Sequence, residues 1–520
     1  MVGNATTQVP SWRTAAGAAL LVLLAGTPAA FCLPVLLSSV FTGVEGTRWV
    51  LPMGLWMTVA GSLFVLGIPL LYRRFAAGEE VVALGVAWFL AALLAFIALQ
   101  RLGSGLRVLE SHNQVMVMRV AAGGNLYPDP QLEPGGPIYA PLYFLVCGLL
   151  HRLLAASFAW GRVVSLGCTL GTALLTAVLA RRLGAARGSA VWAPALFLAT
   201  YPLLNMLYDN VMVDPLLMLL LTAGGYLLVG NTPRQDGAAL VVLGLACFTK
   251  QTAALPAAAG LAIILFSRRS IKVYWSVPLF IAAGVVLLLV TNGRAWVNLV
   301  RLPGSYGWQG MPFPRRMIVA AILHFPLLVC AVIGAIRSPH PRFLLYCGAL
   351  IAAATSGLVH AGGWINTLMI LEGVMVAQGA CLLPRRKVLL ALQLVVGLYN
   401  PFPPLYPWST IRDPDRAAIA LAGKTAGPVW FPVESDLAYR SGTMEWDNAV
   451  AIDCITWAGE EVPRRLVDAI RMQHFELILM RESSRQAYDK LPPTLRQLVD
   501  RLYKQRESPH PGLRVLEPLR

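Results

Sequence analysis

The sequence predicts an all-α polytopic membrane protein that carries a small α/β domain at its C-terminal end. Of its 520 residues, 57% are hydrophobic and only 13% are charged. Apolar runs of about 20 residues, long enough to cross a hydrocarbon core, recur through residues 1–400. Residues 401–520 show a different pattern, in which short strand-like runs flank a segment with helical spacing.

The apolar runs predict thirteen transmembrane helices. The first run is too long for the core of a signal peptide and has no clean cleavage site, so it counts as a helix. The first two helices fall within 1–80, the remaining ones within 81–400, and the tail domain covers 401–520. The predicted spans are 15–40, 50–72, 81–100, 160–180, 188–207, 214–230, 237–249, 253–267, 274–291, 317–336, 343–360, 365–383 and 388–400.

The distribution of charge predicts the orientation of these helices. The tail domain holds 16 basic and 16 acidic residues, so the whole net charge of +16 lies in residues 1–400. The positive-inside rule explains this excess better than binding of nucleic acid, which we do not expect. It places the N-terminus and the basic loops in the cytoplasm, and the odd number of spans places the tail domain outside. The loops that set this orientation contain Arg73/Arg74, Arg181/Arg182/Arg187, Arg268/Arg269/Lys272, Arg337/Arg342 and Arg385/Arg386/Lys387.

One segment, 137–156, leaves an alternative open. Its apolar residues Leu142, Val146, Leu149 and Leu153 form one helical stripe, which predicts a helix lying in the outer membrane interface. If the segment crossed the bilayer instead, the orientation of every later loop would be inverted. With the interfacial interpretation, 101–159 forms a single outer loop.

The residues that could hold a cofactor are sparse. Seven of the eight cysteines lie in apolar segments and no Cys-x-x-Cys or His/Cys cluster occurs, so neither a disulfide framework nor a zinc site is predicted. We predict no cofactor, and no motif supports a divalent cation.

Two short spans, 237–249 and 253–267, meet at the sequence "FTKQTA". Interrupted helices at membrane depth are stable only where protein or a wet cavity satisfies their backbone, which predicts a cavity near Lys250. A lone ammonium there would be desolvated, so Lys250→Met is expected not to destabilise the protein. The alternative is that Lys250 extends to the lipid headgroups.

The acidic residues of the membrane part concentrate on the predicted outer side. Glu110, Asn113 and Gln114 share one face of a short helix that Gly123 and Gly124 would end. A carboxylate there could act as a general base toward a hydroxyl group, whereas the alternative is an interfacial charge without a catalytic role.

A second acidic group lies in "YDNVMVDPLL", at the turn into the sixth span. Asp209 and Asp214 flank this turn, and Pro215 suits the first turn of the helix that follows. Asp214 is therefore either a site residue or a helix cap. Cations near these acids could hold a lipid phosphate that serves as both anchor and leaving group.

Several motifs, taken in order from about 85 to 380, resemble the GT-C superfamily, the multi-spanning glycosyltransferases that use polyprenyl-phosphate sugars. Within this superfamily, the sequence resembles the bacterial branch related to protein O-mannosyltransferases and lipid-A aminoarabinose transferases. Glu110 with Asn113, then Gly124 and Tyr127-Pro128, resemble the family's first outer loop. Further similar elements are "IYAPLYF", "WGRVVSL", "YDNVMVDPLLMLL", "CFTKQTAALPAAAG" and "HAGGWINTLMILEG".

The sequence also departs from the family pattern. Ser111 follows Glu110 where the family has an Asp-Glu pair, and Ala140 replaces the first proline of a Pro-Pro pair. The usual arginine before the second acid is absent, and two additional helices precede the core. With these departures Glu110 remains the candidate for the general base, and the donor sugar stays unassigned.

The resemblance implies a GT-C-like fold and direct, inverting transfer of a sugar at the outer membrane face. Glu110 and Asp214 would be the catalytic carboxylates, with the acceptor hydroxyl oriented by Glu110 as polyprenyl phosphate departs. The implied partners are a polyprenyl-phosphate-linked sugar, an acceptor glycan, lipid or protein, and the bilayer of the bacterial cytoplasmic membrane. The implied substrate-binding residues are Asn113, Tyr143, Asp209, Lys250, Arg301 and Asn366.

The alternative function is a transporter or flippase of lipid-linked sugars, which would need a similar lipid cavity. Such proteins more often contain internal repeats or paired broken helices, whereas this sequence has one broken pair and no repeat. An enzyme should bring Glu110, Asp214 and Lys250 around one cavity.

Overall fold

The computed structural model of the chain is predominantly helical, with one small sheet. It describes residues 108–133, 135–154, 160–204, 207–230, 232–267, 271–305, 307, 324–359, 365–381, 412–457 and 459–519. The predicted spans 15–40, 50–72, 81–100 and 388–400 lie outside these residues, as does the start of span 317–336. The number of thirteen spans therefore stays a prediction.

The membrane part is a bundle of helices of unequal length. The helices are α1 (Val108–Ala121), α2 (Leu142–Leu153), α3 (Trp160–Arg182), α4 (Arg187–Ala190), α5 (Ala193–Ala199), α6 (Asp214–Val229), α7 (Pro233–Cys247), α8 (Ala254–Ser267), α9 (Ser276–Val290), α10 (Arg294–Ser305), α11 (Phe325–Arg337), α12 (Pro341–Val359) and α13 (Met369–Ala380). In the described part of the chain, α3 and α12 are long and apolar enough to cross a membrane, and α9 with α10, bent by 108°, would make a third span.

The helix surfaces are consistent with a lipid environment. Large apolar side chains point outward along the bundle, among them Leu174 on α3, Phe266 on α8 and Leu289 on α9. In water such a surface would be costly, whereas lipid tails solvate it at little cost. Small and polar residues on the inner faces of α3 and α6 let α6 pack closely against α3, α7 and α13.

Several predicted spans are interrupted. In place of one helix over 188–207, the chain forms α4, α5 and a 3₁₀ turn, Pro202–Leu204. Pro194 and Pro202 lack the N–H group that a continuous helix would use, which accounts for the breaks. The span predicted at 365–383 likewise begins with a 3₁₀ turn before α13.

Helix α2 has 12 residues and therefore extends only about 18 Å, short of the roughly 30 Å hydrocarbon core. Its buried face carries Tyr143, Phe144 and Cys147, and its opposite face exposes Leu149 and Leu153. These dimensions suit the interfacial helix predicted from the sequence.

One end of the bundle collects basic side chains, and we call it the basic end. The Arg182 guanidinium lies 4.4 Å from the ring centre of Tyr226, where α3 and α6 both end. Arg342 at the start of α12 forms an ion pair of 2.6 Å with Asp236 near the start of α7. We call the opposite end, where α6 begins and α7 ends, the site end.

The tail domain has the α/β composition that the sequence predicts. Its elements are α14 (Arg412–Lys424), β1 (Val429–Trp430), α15 (Asp436–Ser441), α16 (Ala449–Trp457), α17 (Arg464–Arg471), β2 (Leu477–Arg481), α18 (Arg485–Tyr488), α19 (Pro493–Leu502), β3 (Tyr503–Arg506) and β4 (Leu513–Pro518).

The four strands form one sheet in the order β1-β2-β4-β3. Strands β1 and β2 are parallel, with Val429 opposite Leu477, and β4 runs antiparallel to both β2 and β3. Both faces of β2 are buried, which explains why the four residues from Leu477 to Met480 are all apolar rather than alternating with polar ones.

Candidate active site

Glu110 lies in the first turn of α1 and forms a two-point ion pair with Arg162 of α3. Arg162 donates from Nε to Oε1 of Glu110 at 3.0 Å and from its Nη2 to Oε2 at 3.1 Å. Both side chains are at least 98% buried. A guanidinium fork of this kind fixes the plane of a carboxylate as well as its charge. Glu110 is therefore a rigidly held buried carboxylate and not an interfacial surface charge.

The segment 207–213, between the 3₁₀ turn and α6, holds Glu110 from a second side. The backbone N–H of Val211 donates to Glu110 Oε1 at 3.1 Å, and Asn113 Nδ2 donates to the carbonyl oxygen of Val211 at 2.8 Å. On the same segment, Asp209 accepts a hydrogen bond of 2.8 Å from the Tyr201 hydroxyl. Glu110 and Asn113 are thus both hydrogen-bonded to the backbone of Val211, whereas Asp209 belongs to a neighbouring buried contact with Tyr201.

Asp214 opens α6 three residues after Val211, and it meets two of the other predicted site residues. Lys250 Nζ lies 2.8 Å from its Oδ1, and Asn366 Nδ2 donates to its Oδ2 at 3.0 Å. All three side chains are buried. Because its carboxylate binds these two partners, Asp214 is more than a helix cap. We call Asp214, Lys250 and Asn366 the site-end cluster.

Lys250 reaches the cluster because the chain breaks between α7 and α8. Its backbone is extended, with φ −155° and ψ 135°, and a 3₁₀ turn, Gln251–Ala253, follows it. The break is stabilised by the outer loop, since the Phe248 carbonyl accepts from the Leu142 N–H at 2.7 Å and Gln251 Nε2 donates to the Ile138 carbonyl at 2.9 Å. The interruption predicted at "FTKQTA" is confirmed.

The partner of the Lys250 charge changes one expectation from the sequence. A lone desolvated ammonium would be relieved by Lys250→Met, but Lys250 is paired with buried Asp214. Its Nζ also lies 5.2 Å from the ring centre of Tyr139. Removing Lys250 would leave a buried carboxylate without its counter-charge, so the substitution should destabilise the protein.

Two other predicted binding residues have different surroundings. The Tyr143 hydroxyl donates to the Gly161 carbonyl at 2.8 Å and lies 3.1 Å from Ser165 Oγ, so it joins α2 to the start of α3. Arg301 lies in a π-helical turn, Val297–Arg301, and its half-exposed guanidinium is 3.5 Å from Glu460 of the tail domain. Arg301 is not brought to the buried site-end cluster.

The tail domain docks on the side of α1 away from Arg162. Ser111 Oγ donates to Asp436 Oδ1 at 2.5 Å and accepts from the Asp436 N–H at 3.0 Å. Asn448 Nδ2 lies 3.2 Å from His112 Nδ1, and Arg119 pairs with Glu445 at 2.7 Å. The first outer loop and the tail domain therefore lie on the same side of the bundle, at the site end.

The pKa of His112 is lowered to about 4, first by burial at this contact and then by the nearby Arg119 charge, while the bond to Asn448 opposes the shift. His112 is consequently neutral at physiological pH. In the tail domain, burial raises the pKa of Asp447 to about 6, although Arg465 and the Gly135 N–H oppose the shift. Both groups belong to the contact between the outer loop and the tail domain.

Arg162, the partner of Glu110, is a candidate site residue that the sequence analysis does not single out, because it lies within the motif "WGRVVSL". It has a signal of its own, since an arginine at the predicted outer end of a span runs against the positive-inside rule and needs a buried or lipid anion as partner. Docking of the tail domain on α1 gave no such signal, since Ser111, His112 and Arg119 are ordinary interfacial residues.

The described residues contain no group of three His, Cys, Asp or Glu side chains arranged to hold a metal ion. The chemistry available at the site end is that of two buried carboxylates, a guanidinium, an ammonium and several amides. Such groups can orient a hydroxyl nucleophile and bind a phosphate leaving group.

Comparisons with known proteins place this fold. No protein-family model matches the sequence, and no curated protein matches it. The structure is similar to that of ArnT from Cupriavidus metallidurans bound to undecaprenyl phosphate, with a TM-score of 0.53 and 14% identity over 85% of this chain and 98% of that chain. ArnT in the apo state matches with the same TM-score and identity, over 82% of this chain and 97% of that chain.

A structure of the arabinofuranosyltransferase AftD from Mycobacteria also matches, with a TM-score of 0.43 and 15% identity over 83% of this chain and 40% of that chain. The similarity to ArnT extends over nearly the whole length of both chains. It shows that this chain and ArnT share one fold.

Proposed function

We propose that this protein is an integral membrane glycosyltransferase that transfers a sugar from a polyprenyl-phosphate donor to an acceptor hydroxyl, with inversion. The observation that carries the proposal is the site-end cluster of Asp214, Lys250 and Asn366 in a chain with the fold of ArnT, whose structure holds undecaprenyl phosphate. The cluster puts a buried cation where three separated parts of the chain meet.

Lys250 is the residue we assign to the donor phosphate. An ammonium has three donors, and the hydrogen bond to Asp214 uses one of them. As the glycosidic bond breaks, negative charge grows on the departing phosphate, so Lys250 would bind the transition state more tightly than the ground state. Asp214 would hold the ammonium in place until the donor arrives.

Glu110 is the residue we assign to the acceptor. In an inverting transfer the acceptor oxygen attacks the anomeric carbon as the carbon–phosphate oxygen bond breaks, and the hydroxyl proton passes to a base. Glu110 would orient the hydroxyl and receive this proton. Arg162 fixes the carboxylate, and segment 207–213 links Glu110 through Val211 to Asp214, so acceptor and donor groups share one rigid frame.

The site end would face the outside of the bacterial cytoplasmic membrane, with the N-terminus in the cytoplasm. In support, Arg182 and Arg342 lie at the basic end, and the tail domain docks at the opposite end. Exposed positions for a labelling test are Ala186 and Met444. In intact cells an impermeant thiol reagent should label Met444→Cys and not Ala186→Cys, and the reverse pattern would overturn this orientation.

The activity itself can be tested with purified protein in lipid nanodiscs. The donors would be undecaprenyl phosphates carrying different hexoses and pentoses, and the acceptor an envelope extract from a strain that lacks the gene. Mass spectrometry should detect undecaprenyl phosphate and a glycan heavier by one sugar. If no donor is consumed, but proteoliposomes move a fluorescent undecaprenyl-phosphate sugar between leaflets, the protein is a flippase and the proposal is wrong.

A further inference from the structure

Helix α1 carries a second polar group beside Glu110 that the proposed reaction has not used. Gln114 is fully buried, and among the residues that the structure describes no group forms a hydrogen bond with its Oε1 or Nε2. Its neighbour Asn113 donates to Val211, while the Asn113 Oδ1 is buried with no hydrogen-bond partner in the described chain. Three amide atoms within one helical turn of Glu110 are thus left without a protein partner.

The other polar side chains of α1 make this arrangement unusual. Ser111 and His112 are hydrogen-bonded to the tail domain, and Glu110 is bound to Arg162. A buried amide that gains no hydrogen bond destabilises a protein, because its polar atoms lose water without replacement. Such a group is typically retained where something other than the protein satisfies it.

The position of Gln114 on the helix indicates what that group is. Residues four apart on a helix lie on the same face with Cβ atoms about 5–6 Å apart, so Gln114 is next to Glu110. The contact to α2 lies on another face of α1, through Val120, whereas the tail domain contacts α1 at Ser111 and His112, so that Gln114 lies between Glu110 and Ser111 around the helix. Of these two neighbours Gln114 is nearer to Glu110 around the helix, and it shares the side of α1 on which Glu110 would receive the acceptor.

We propose that Gln114, with the Asn113 carbonyl oxygen, binds hydroxyl groups of a sugar at the Glu110 site. An amide offers two donor hydrogens and one carbonyl acceptor, which suits hydroxyl groups that both donate and accept. This deepens the proposed function and rests on it. The sugar is either that of the donor or that of a glycan acceptor, and the experiment below separates these two sources.

The test compares Gln114→Leu with the parent protein in two measurements. Leucine keeps most of the volume and removes both hydrogen-bonding atoms. Without ligand, the apparent melting temperature of the variant should rise, since an unsatisfied buried amide has been removed. With substrate, kcat/KM should fall roughly 10- to 100-fold, because each net hydrogen bond is worth about two- to tenfold. A purely structural glutamine would show lower stability in the variant.

Gln378 on α13 provides a matched control, because it is also a buried glutamine whose amide atoms have no hydrogen-bond partner in the described part of the protein. It lies near the basic end, one turn before Cys381, whose Sγ is 3.9 Å from the Ala180 carbonyl of α3. Gln378→Leu should raise the melting temperature in the same way and leave the kinetics unchanged.

Two binding arms identify the sugar. If the donor sugar contacts Gln114, Gln114→Leu weakens binding of undecaprenyl-phosphate sugars and leaves binding of undecaprenyl phosphate unchanged. If a glycan acceptor contacts it, the acceptor KM rises and donor binding is unchanged. The assignment is overturned if neither changes, or if the apparent melting temperature falls. Absence of transfer by the parent protein would instead refute the proposed function, and the donor-binding arm would still decide the role of Gln114.

Discussion

Two buried ion pairs lie at the site end, and they are built differently. Glu110 and Arg162 share two hydrogen bonds of 3.0 and 3.1 Å. Asp214 and Lys250 share a single one of 2.8 Å, and Asn366 takes the second oxygen of Asp214. Segment 207–213 separates the two pairs along the chain, so neither forms simply because its members are close in sequence.

The difference between the pairs indicates a division of roles. A planar guanidinium that holds both carboxylate oxygens fixes an orientation and is hard to displace, whereas a compact ammonium is a point charge that can pass from one anion to another. The first pair is therefore suited to position Glu110. The second pair is suited to exchange, in which Lys250 leaves Asp214 in part to bind a phosphate.

The largest expected effect comes from Glu110→Gln. The amide keeps the size of the side chain and can still accept from Arg162, but it cannot receive a proton. Transfer should fall on the order of 10²–10⁴-fold, as is usual for loss of a general base. The rate is measured by mass spectrometry in nanodiscs, with circular dichroism as the control for folding. Transfer at the parental rate would show that Glu110 only anchors α1.

Arg162→Met tests the other half of the same pair. It leaves Glu110 buried without its counter-charge, and breaking a buried pair in this way typically costs about 3–5 kcal/mol. The apparent melting temperature should fall steeply. The double variant Glu110→Gln/Arg162→Met should recover part of this loss without recovering activity. Equal melting temperatures for Arg162→Met and the parent would contradict the positioning role of Arg162.

These pairs also show how far the sequence could lead. Three of the residues are predicted from local signals: Glu110 as an acid after a membrane helix, Asp214 as an Asp-Pro at a helix start, and Lys250 as a charge between two short spans. Asn366 is implied only by the resemblance of "HAGGWINTLMILEG" to a family motif. Which residue pairs with which depends on helices more than 30 residues apart in the sequence. Arg162 and the Asp214–Lys250 contact could not follow from periodicity, because hydrophobic spacing defines the face of a helix but not its neighbour.

The fold, like the site, has elements that the sequence predicts and others that it does not. The sequence predicts two strand-like runs, "GPVWFPV" and "FELILM", and a helix within "EVPRRLVDAIRMQH", and β1, β2 and α17 confirm them. Helices α15 and α16, which also lie between β1 and β2, are not predicted. The break of span 188–207 into α4 and α5 was not predicted, although Pro194 and Pro202 signal it. An apolar run predicts one continuous membrane helix from its composition alone, and this prediction takes no account of the backbone hydrogen bond that a proline removes.

Variants of Lys250 should show whether this residue exchanges Asp214 for a phosphate or only forms a structural ion pair with Asp214. Lys250→Met should weaken binding of undecaprenyl phosphate about 10- to 100-fold and also lower stability, because Asp214 loses its partner. Adding Asp214→Asn removes the orphaned charge and should restore stability but not binding. Lys250→Arg should retain part of the affinity, since a guanidinium also pairs with phosphate. Unchanged phosphate binding in Lys250→Met would confine Lys250 to a structural pair.

The smallest expected effect concerns the docking of the tail domain on α1, the helix that carries Glu110. His112 has a pKa of about 4 in the folded protein, below its ordinary value of 6.5. The folded state therefore keeps His112 neutral while the unfolded state binds a proton below pH 6.5. The stability that neutral His112 contributes is complete above pH 6.5 and is lost as pH falls toward 4.

At pH 5 this loss amounts to about 2 kcal/mol in the free energy of unfolding. Asp447, with a pKa raised to about 6, has the opposite dependence, gaining stability as pH falls. A comparison with His112→Asn cancels that contribution, because Asp447 is present in both proteins.

Asparagine keeps an acceptor where the His112 Nδ1 faces Asn448, whose side chain is oriented by Ser435 and by the Ala451 N–H. Denaturation followed by tryptophan fluorescence at pH 7.5 and pH 5 should show the parent losing about 2 kcal/mol more than His112→Asn. If both proteins respond equally to acid, His112 does not couple protonation to the docking of the tail domain.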